Sequence, residues 1–368
     1  MVSELIYQLS LCQVPYIGNV HAKKLCDTFG SASAVFKAPS WELEKIEHIG
    51  EIKAKSIKKF RDFARAEKEL AFIEKYGIKP LFLTDSEYPQ RLLNCFDPPA
   101  MLFYKGNADL NAPRVVAIVG TRNNTEYGKY ISEKLVKSLV RVNATIVSGL
   151  AFGIDTIAHR CSLKYGLPTI GVVAHGLDTI YPPENTNLAK QMIRHGGLLT
   201  EFRSDTKPDK HNFPSRNRIV AGISDATVIV ESGLKGGSNI TANLAWDYNR
   251  DVFAVPGRIT DVKSEGCNRL IRENKAMLLD DPDYLIAMMG WKENEKKKVM
   301  SQIHMFPEMT DVEKKIIELL RKHNDTGIDE MNFRTGYSSS SIASALLNLE
   351  MQGILKVLPG KRYRLCDQ

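Results

Sequence analysis

The sequence predicts an α/β protein with a Rossmann-like parallel sheet at its centre, a helical domain before the sheet and a winged-helix domain after it. Three observations support this fold class. Buried-strand runs alternate with helical stretches from Arg114 onward, a pattern typical of a parallel sheet. The first 75 residues contain an internal helical repeat. A charged run then separates the sheet region from a final pattern of three helices and a hairpin.

The composition is that of a globular chain of two or three domains. Of the 368 residues, 43% are hydrophobic and 25% charged, which is enough apolar material for a core. No run approaches the roughly 18 apolar residues of a membrane span, and the N-terminus lacks the basic segment of a secretory signal. We therefore expect a cytoplasmic protein that does not contact the membrane. The net charge of +7 favours polyanionic partners.

Cysteine and histidine spacing argues against metal and disulfide chemistry. The six cysteines form no C-x-x-C pair and the eight histidines form no H-E-x-x-H spacing. Neither a disulfide framework nor a metal site is therefore expected.

The N-terminal domain is expected over residues 1–75 as a helix-hairpin-helix or SAM-like unit. Segment 17–25 recurs as 49–57, and each copy opens a helix with an apolar residue and a glycine. Backbone N–H groups at such a turn can hold a DNA phosphate. Tyr16 and His48 stand where DNA-binding hairpins carry an earlier glycine, so a purely structural hairpin pair is the alternative.

The Rossmann-like domain is expected over residues 76–290. Prolines interrupt its first part, so residues 76–112 are predicted to be a connector with one short strand near Ile78. Two helices are placed near the end of the domain, after Gly266–Asn268 and after Asp281–Asp283. Buried strands are predicted at 115–119, 145–147, 169–173, 227–230 and 252–255.

A linker over residues 291–305 and a winged-helix domain over 306–368 complete the chain. Residues 292–298 are charged and have no apolar period. A capping box at Thr310–Glu313 opens the next helix, and two further helices precede a hairpin with a Pro359-Gly360 turn. The third predicted helix spans residues 338–352, and its apolar spacing predicts that Ile342, Leu346, Leu349 and Met351 face inward. It carries no Lys or Arg, so base readout is not expected of it. The wing can still contact phosphate through its basic side chains, which are Lys356, Lys361, Arg362 and Arg364.

The first α/β turn predicts a phosphate site. Gly120, Thr121 and Arg122 stand between a buried strand and a helix N-terminus, where backbone amides and a guanidinium group converge. The turn lacks G-x-G-x-x-G and G-K-[ST], so neither NAD nor any other cofactor is expected. An ordinary polar turn is the alternative.

The second turn, residues 148–155, again joins a strand to a helix. Ser148 and Gly149 are small, which lets a ligand approach the backbone closely. No G-x-S-x-G elbow surrounds the serine, so catalysis is not expected there. Asp155 is expected to satisfy nearby amides.

Segment 207–218 places four Lys or Arg side chains around one phenylalanine. Lys210, Arg216 and Arg218 are expected to meet phosphates while Phe213 stacks on a base, with Asn217 beside them. A solvated loop anchored by Phe213 is the alternative.

The glycine-rich segment 236–242 forms another entry to a helix. Its candidate binding residues are Gly237, Ser238 and Thr241. In open α/β sheets, ligands bind at the carboxyl edge of the strands. Because several anion-binding turns follow strands that end at this edge, we expect them to form one surface.

Six motifs follow one another along the α/β region: residues 119–122, 148–155, 213–218, 237–242, 253–257 and 266–271. In this order they resemble the motif set of the DNA-processing protein A family, also called DprA or Smf. The resemblance implies a homodimeric, non-enzymatic protein that binds and protects incoming single-stranded DNA during natural transformation and helps to load the RecA recombinase. It also implies a phosphate contact for Arg122, groove positions for Lys210, Arg216 and Arg218, and base stacking for Phe213.

The rival interpretation is a nucleotide-binding Rossmann hydrolase related to the lysine-decarboxylase-like phosphoribohydrolases. The P-G-G-x-G-T-x-x-E loop of those enzymes resembles the loop at Gly236-Gly237. Its glutamate position falls on Asn243 and one of its glycine positions on Asn239, so the catalytic pattern is missing. Asn239 also departs from the DprA motif, which more often has an apolar residue there.

Overall fold

The computed structural model of this chain describes residues 3–292, 309–323, 326–351, 354–358 and 362–365. It contains two compact units, Met1–Asn294 and Glu295–Gln368. The predicted linker lies almost entirely outside the described residues, and so do Gln352, the Pro359-Gly360 turn and Lys361.

A mostly parallel sheet forms the centre of the first unit and confirms the predicted fold class. Its strand order is β1-β2-β6-β5-β4-β3-β7-β8-β9. In this spatial order, the seven strands that begin with β6 and end with β9 are parallel, and they include β3, β4 and β5. Strands β1 and β2 pair antiparallel at the β6 side of the sheet. The strands are β1 (Lys79–Phe82), β2 (Met101–Gly106), β3 (Val115–Val119), β4 (Thr145–Ser148), β5 (Thr169–Val172), β6 (Gly196–Thr200), β7 (Ala226–Ile229), β8 (Asp251–Ala254) and β9 (Met277–Leu278).

Helices cover both faces of this sheet, because alternate residues of each central strand point to opposite sides. In β3, Val116 and Ile118 join one core and Val115 and Ala117 the other. The helices that follow the first strands are α7 (Gln90–Leu93), α8 (Glu126–Leu139), α9 (Ile154–Lys164), α10 (Thr186–Arg194), α11 (Asn212–Ile223), α12 (Gly237–Asp247), α13 (Glu265–Arg272) and α14 (Pro282–Met288). Side chains of α8, α9 and α14 fill the first core, and those of α11 and α12 contribute to the second.

Besides the two-residue strands β9 and β10 (Thr326–Gly327), two strands lie where the sequence predicted none. The predicted connector contains β2 as well as β1. The first four residues of β2 are all buried, so this strand lacks the alternation of apolar and polar residues that marks a half-buried strand. Strand β6 begins with two glycines, which weaken any strand prediction. A side chain at Gly197 would place its Cβ 2.4 Å from the Tyr104 ring of β2. Close packing of these two strands therefore explains the unusual strand composition.

The N-terminal residues form the predicted helical region. Its helices are α1 (Glu4–Leu11), α2 (Asn19–Phe29), α3 (Ala32–Lys37), α4 (Ser40–Glu44), α5 (Gly50–Lys59) and α6 (Ala64–Tyr76). Tyr16 and His48 both have positive φ values, 68° and 70°. These two residues thus take the left-handed conformation that glycine adopts without strain, and the sequence repeat is also a repeat of backbone geometry.

The described part of the second unit has a winged-helix arrangement. Its helices are α15 (Asp311–Lys322), α16 (Ile328–Thr335) and α17 (Ser339–Met351), and its strands are β10 (Thr326–Gly327), β11 (Leu355–Leu358) and β12 (Arg362–Leu365). The strand order is β10-β12-β11. Thr310 and Glu313 form the predicted capping box. Ile342, Leu346 and Leu349 of α17 face the core as expected. Met351, which was also expected to face inward, is 81% exposed because it lies at the last position of the helix.

In the part of the chain that the structure describes, no helix is long and apolar enough to span a bilayer. The same residues contain no group of three or more His, Cys, Asp or Glu side chains arranged to hold a metal ion.

Candidate nucleic-acid interface

A cavity of about 530 Å³ opens at the carboxyl edge of the sheet. It lies between the ends of β3 and β7, where the chain order reverses: β4, β5 and β6 extend to one side of β3, and β7 lies on the other. Loops diverge at such a switch point and leave a crevice. The predicted site residues that line the cavity are Gly120, Thr121, Arg122, Gly149, Lys210, Phe213, Arg216, Asn217, Gly237, Ser238 and Thr241.

Ser148 and Arg218, which sequence reasoning also selected, do not line this cavity. Ser148 is fully buried, and its hydroxyl donates a hydrogen bond to the Ile118 carbonyl at 2.6 Å. The Arg218 guanidinium donates to the Glu201 carboxylate and to the Asp97 carbonyl. Both side chains therefore hold elements together beneath the surface.

The cationic segment is a helix from Asn212 onward rather than a loop, because residues 212–223 form α11. Arg216 consequently lies on the first turns of a helix that packs on the sheet, and only 5% of its surface is exposed. Its guanidinium donates to the carbonyls of Gly149 and Val172. A Cβ at Gly149 would fall 2.5 Å from this guanidinium, so the second turn needs glycine at that position.

Asp155 acts as the sequence predicted, by accepting hydrogen bonds from backbone amides. Its Oδ2 accepts from the Gly149 amide at 3.1 Å and from the Ala151 amide at 3.4 Å. Burial raises the pKa of Asp155, and the Arg216 charge opposes that shift. Burial also lowers the pKa of Arg216 to about 10, so its guanidinium remains charged at neutral pH. The second turn is therefore built around a buried cation and a buried acid.

Phe213 is half-buried and lies among cations. Its ring centroid is 5.1 Å from Cζ of Arg122 and 6.0 Å from Cζ of Arg216, within cation–π range. Tyr181, which sequence reasoning did not select, has its ring centroid 6.2 Å from that of Phe213. The Tyr181 amide donates to Nε2 of the buried His175 at 3.2 Å. An aromatic and cationic patch thus borders the cavity.

Glu231, another residue that sequence reasoning missed, clamps the first turn from both ends. The Thr121 amide donates to the Glu231 carbonyl at 2.8 Å. The Thr125 amide donates to the Glu231 carboxylate at 2.9 Å, and the Thr125 hydroxyl also donates to it. Arg122 lies between these anchors, so Glu231 determines the path of the backbone that carries it.

This clamp changes the interpretation of the first turn. The sequence predicted that free amides at the α8 N-terminus would hold an external anion, yet the buried Glu231 carboxylate already accepts from the amide of the capping residue Thr125. A glutamate that closes a buried strand just before a glycine-rich turn is the signal that sequence reasoning left unused. Arg122 remains exposed at the cavity.

The Asn239 side chain forms hydrogen bonds within the glycine-rich turn. Its side-chain amide donates to the Gly233 carbonyl at 2.9 Å and to the Leu234 carbonyl at 3.0 Å. It does not line the cavity, whereas Ser238, Ile240 and Thr241 do. At this departure from the family motif the side chain therefore bonds within the loop and forms no part of the cavity wall.

Comparison with models of known protein families identifies the family of this chain. A family model described as DNA recombination-mediator protein A matches residues 79–290, more than half of the sequence. The chain belongs to the DprA family. A second model, the DprA winged helix domain, matches residues 307–361. Every residue that lines the cavity falls within the first match.

Relatives of known name extend over most of this DprA-family chain. Protein Smf of Synechocystis sp. is 33% identical over 398 residues and covers 98% of this chain and 99% of its own length. The DNA processing protein DprA of Bacillus subtilis is 42% identical over 226 residues, which are 61% of this chain and 76% of the relative.

Two solved structures of DprA proteins have a similar fold. The Streptococcus pneumoniae protein gives a TM-score of 0.62 at 32% identity and covers 78% of this chain and 98% of its own. The Helicobacter pylori protein, whose structure gave insight into its single-stranded DNA binding mode, gives a TM-score of 0.54 at 32% identity. It covers 60% of this chain and 98% of its own.

Proposed function

We propose that this protein binds single-stranded DNA in the cavity at the carboxyl edge of its sheet. The arrangement of cations around one aromatic ring carries the proposal. Arg122 and Lys210 are exposed at the cavity, and within residues 3–292 neither forms an ion pair. The Phe213 ring is within cation–π range of both Arg122 and Arg216. Exposed cations beside an aromatic ring suit a strand that presents phosphates and unstacked bases together.

The residues that bind the strand divide into two groups in this proposal. Arg122 and Lys210 meet phosphates from outside, while Phe213 stacks on a base. Arg216 lines the cavity, but its guanidinium donates to two backbone carbonyls. In this proposal it contributes positive electrostatic potential and the shape of the cavity wall rather than a direct phosphate contact. Arg218, which is itself buried, supports α11 through Glu201 and is not part of the contact surface.

The wider role follows the family. We propose that the protein is cytoplasmic, acts as a homodimer without catalysis, protects incoming single-stranded DNA during natural transformation, and helps to load RecA. The relatives named as DNA processing proteins and the single-stranded DNA binding mode described for the Helicobacter pylori protein support this proposal.

A nucleotide hydrolase is the weaker candidate, because the position that would carry its glutamate is Asn243. The Asn243 side chain donates to the Asn239 carbonyl at 2.9 Å, and its oxygen accepts from Lys275 at 3.2 Å. These contacts hold it within the fold, and it does not line the cavity. Incubation with nucleoside monophosphates tests the alternative, and release of free base would favour the hydrolase.

Salt-dependent titrations test the binding proposal. We expect the full chain to bind unrelated single-stranded oligonucleotides with similar affinity, more tightly than duplexes, and with an affinity that falls steeply as salt rises. Replacing Arg122 with Ala should weaken binding to every sequence. A flat salt response, a strong preference for one sequence, or an Arg122→Ala protein that binds like the parent would contradict the proposal.

A further inference from the structure

Beside the cavity, two loops expose aliphatic and cationic side chains that packing does not explain. They are the loop that joins β7 to α12 and the loop that joins β8 to α13. We call their exposed aliphatic and cationic side chains, together with Ile240 on the first turn of α12, the rim: Leu234, Lys235, Ile240, Arg258, Ile259 and Val262. Ile259 is 95% exposed and Val262 is 68% exposed. Exposure of this degree means that folding of the chain itself gains almost nothing from these apolar groups.

Hydrogen bonds and close packing hold the backbone that carries the rim. The amide of Gly266, at the start of α13, donates to the Ser232 carbonyl at 2.7 Å and so joins the helix that follows the second loop to the first loop. The Val262 carbonyl lies 3.5 Å from the position of a Cβ at Gly233. Asn239 ties the first loop to its own helix through two carbonyls. The exposed side chains therefore project from a fixed base, which keeps the cost of ordering a ligand-binding surface low.

The rim is continuous with the cavity. Ile240 belongs to both, and Gly233 and Gly236 of the same loop line the cavity wall. Lys235 and Arg258 are exposed, and in residues 3–292 neither makes an ion pair or a side-chain hydrogen bond. Asp261 is an exposed acid of the second loop, and with two cations against one acid the rim and its loops carry a net positive charge.

From this continuity and charge we infer that the rim binds the part of a single strand that extends out of the cavity. Lys235 and Arg258 meet its phosphates, and Ile240, Ile259 and Val262 make apolar contact with its unstacked bases. This inference rests on the proposed function, because it extends the strand whose first nucleotides occupy the cavity. It adds a second contact region and predicts that affinity depends on strand length.

The contributions of the rim and of the cavity to affinity can be separated by varying the length of the oligonucleotide. Binding of the full chain to oligomers of about 6 and about 30 nucleotides would be compared for the parent, Ile259→Ser and the double variant Lys235→Gln/Arg258→Gln. Both rim variants should bind the short oligomer within about twofold of the parent and the long one roughly three- to tenfold more weakly. The double variant should also reduce the salt dependence on the long strand by about 0.7 for each lost phosphate contact.

Matched controls lie at the opposite edge of the sheet. Val140→Ser and Lys137→Gln replace an exposed aliphatic and an exposed cation near the start of β4, and neither should alter binding at either length. Melting temperatures should match across the set because all the substituted side chains are exposed. Arg122→Ala should weaken binding at both lengths.

The outcomes distinguish this inference from the proposed function. If the parent binds neither oligomer, the proposed function fails. If the parent binds both and the rim variants bind the long strand as tightly as the parent, or lose affinity equally at both lengths, the rim inference fails alone. If the Ile259→Ser protein changes its oligomeric state in light scattering while its binding is unchanged, a second copy of the chain covers the rim instead.

Discussion

His159, on α9, is fully buried with one ring nitrogen that has no hydrogen-bond partner. The Thr169 hydroxyl donates to the Ile146 carbonyl at 3.1 Å and lies 2.7 Å from His159 Nδ1. With the hydroxyl hydrogen used in this way, Nδ1 carries the ring proton and Nε2 is left as the unpaired acceptor. Burial lowers the pKa of His159 to about 3, so the ring is neutral in the folded protein at neutral pH.

We expect this histidine to make the fold acid-sensitive. An unfolded histidine titrates near 6.5, so between pH 6.5 and about 3 only the unfolded chain binds the proton, and the free energy of unfolding falls as the pH decreases. His159→Gln removes the titration. Between pH 6.5 and 4.5 the variant should lose about 2 kcal/mol less than the parent, as measured by urea unfolding at a series of pH values. Parallel pH profiles would refute this.

Arg122 and Phe213 should show coupled effects on DNA affinity. Arg122→Ala should weaken binding and reduce the salt dependence by about 0.7, the single-strand value for one phosphate contact. Phe213→Ala should cost about 1 to 3 kcal/mol through lost stacking. Because the two groups are in cation–π contact, the double variant should cost less than the sum. Titrations of the four proteins at several salt concentrations measure this coupling. Strict additivity, with unchanged melting temperatures, would show that the contact has no role in binding.

At the residue scale, the sequence identified the kinds of side chain at the site but not which of them are exposed at the cavity. The sequence alone does not distinguish Arg122, Arg216 and Arg218. In the structure Arg122 is exposed, whereas Arg216 and Arg218 are buried. Their burial depends on where α11 begins, and a segment rich in Pro, Lys and Asn does not reveal that position. Glu231 was missed because its partner, Thr125, is distant in the sequence.

At the scale of one helix, α8 carries a glycine that its environment requires. Replacing a helical glycine with alanine usually stabilises a helix by about 1 kcal/mol. A Cβ at Gly128, however, would lie 2.4 Å from the Glu231 carboxyl group. We expect Gly128→Ala to destabilise the protein by about 1 to 3 kcal/mol and to weaken DNA binding, because the displaced carboxylate releases the turn that carries Arg122.

Denaturant unfolding and DNA titration measure both effects of Gly128→Ala. Combining it with Glu231→Ala removes the clash, so the two substitutions together should cost less than the sum of their separate effects. A Gly128→Ala protein more stable than the parent would show that the carboxylate does not occupy this space.

Elements were predictable where their pattern is local. β3 was predicted with its observed bounds because five consecutive apolar residues precede a glycine turn. β2 and β6 were not predicted, because each owes its strand conformation to pairing with the other across a long sequence separation. The glycines that weaken β6 as a sequence pattern are the ones that allow Tyr104 to pack against it. Tertiary contact overrides local propensity in both strands.

At the scale of the whole molecule, the charges that we assign to DNA binding all lie in the first unit. Every cavity-lining residue lies between Val119 and Thr241, within the unit Met1–Asn294. In the second unit, α17 carries no Lys or Arg, and its exposed face includes Leu347 and Met351. A helix of this character is poorly suited to the major groove.

We therefore expect that removing residues 295–368 leaves most of the single-strand affinity in place. Residues 1–294 contain the sheet, both of its cores and the packed N-terminal helices, so the shortened chain should unfold cooperatively with a melting temperature close to that of the corresponding transition in the full chain. Its affinity for a single strand should stay within a few-fold of the parent value. Arg122→Ala should weaken it by the same factor as in the full chain, because the phosphate contact does not depend on the second unit. A folded truncation that no longer binds single strands would move the principal contact to the winged-helix unit.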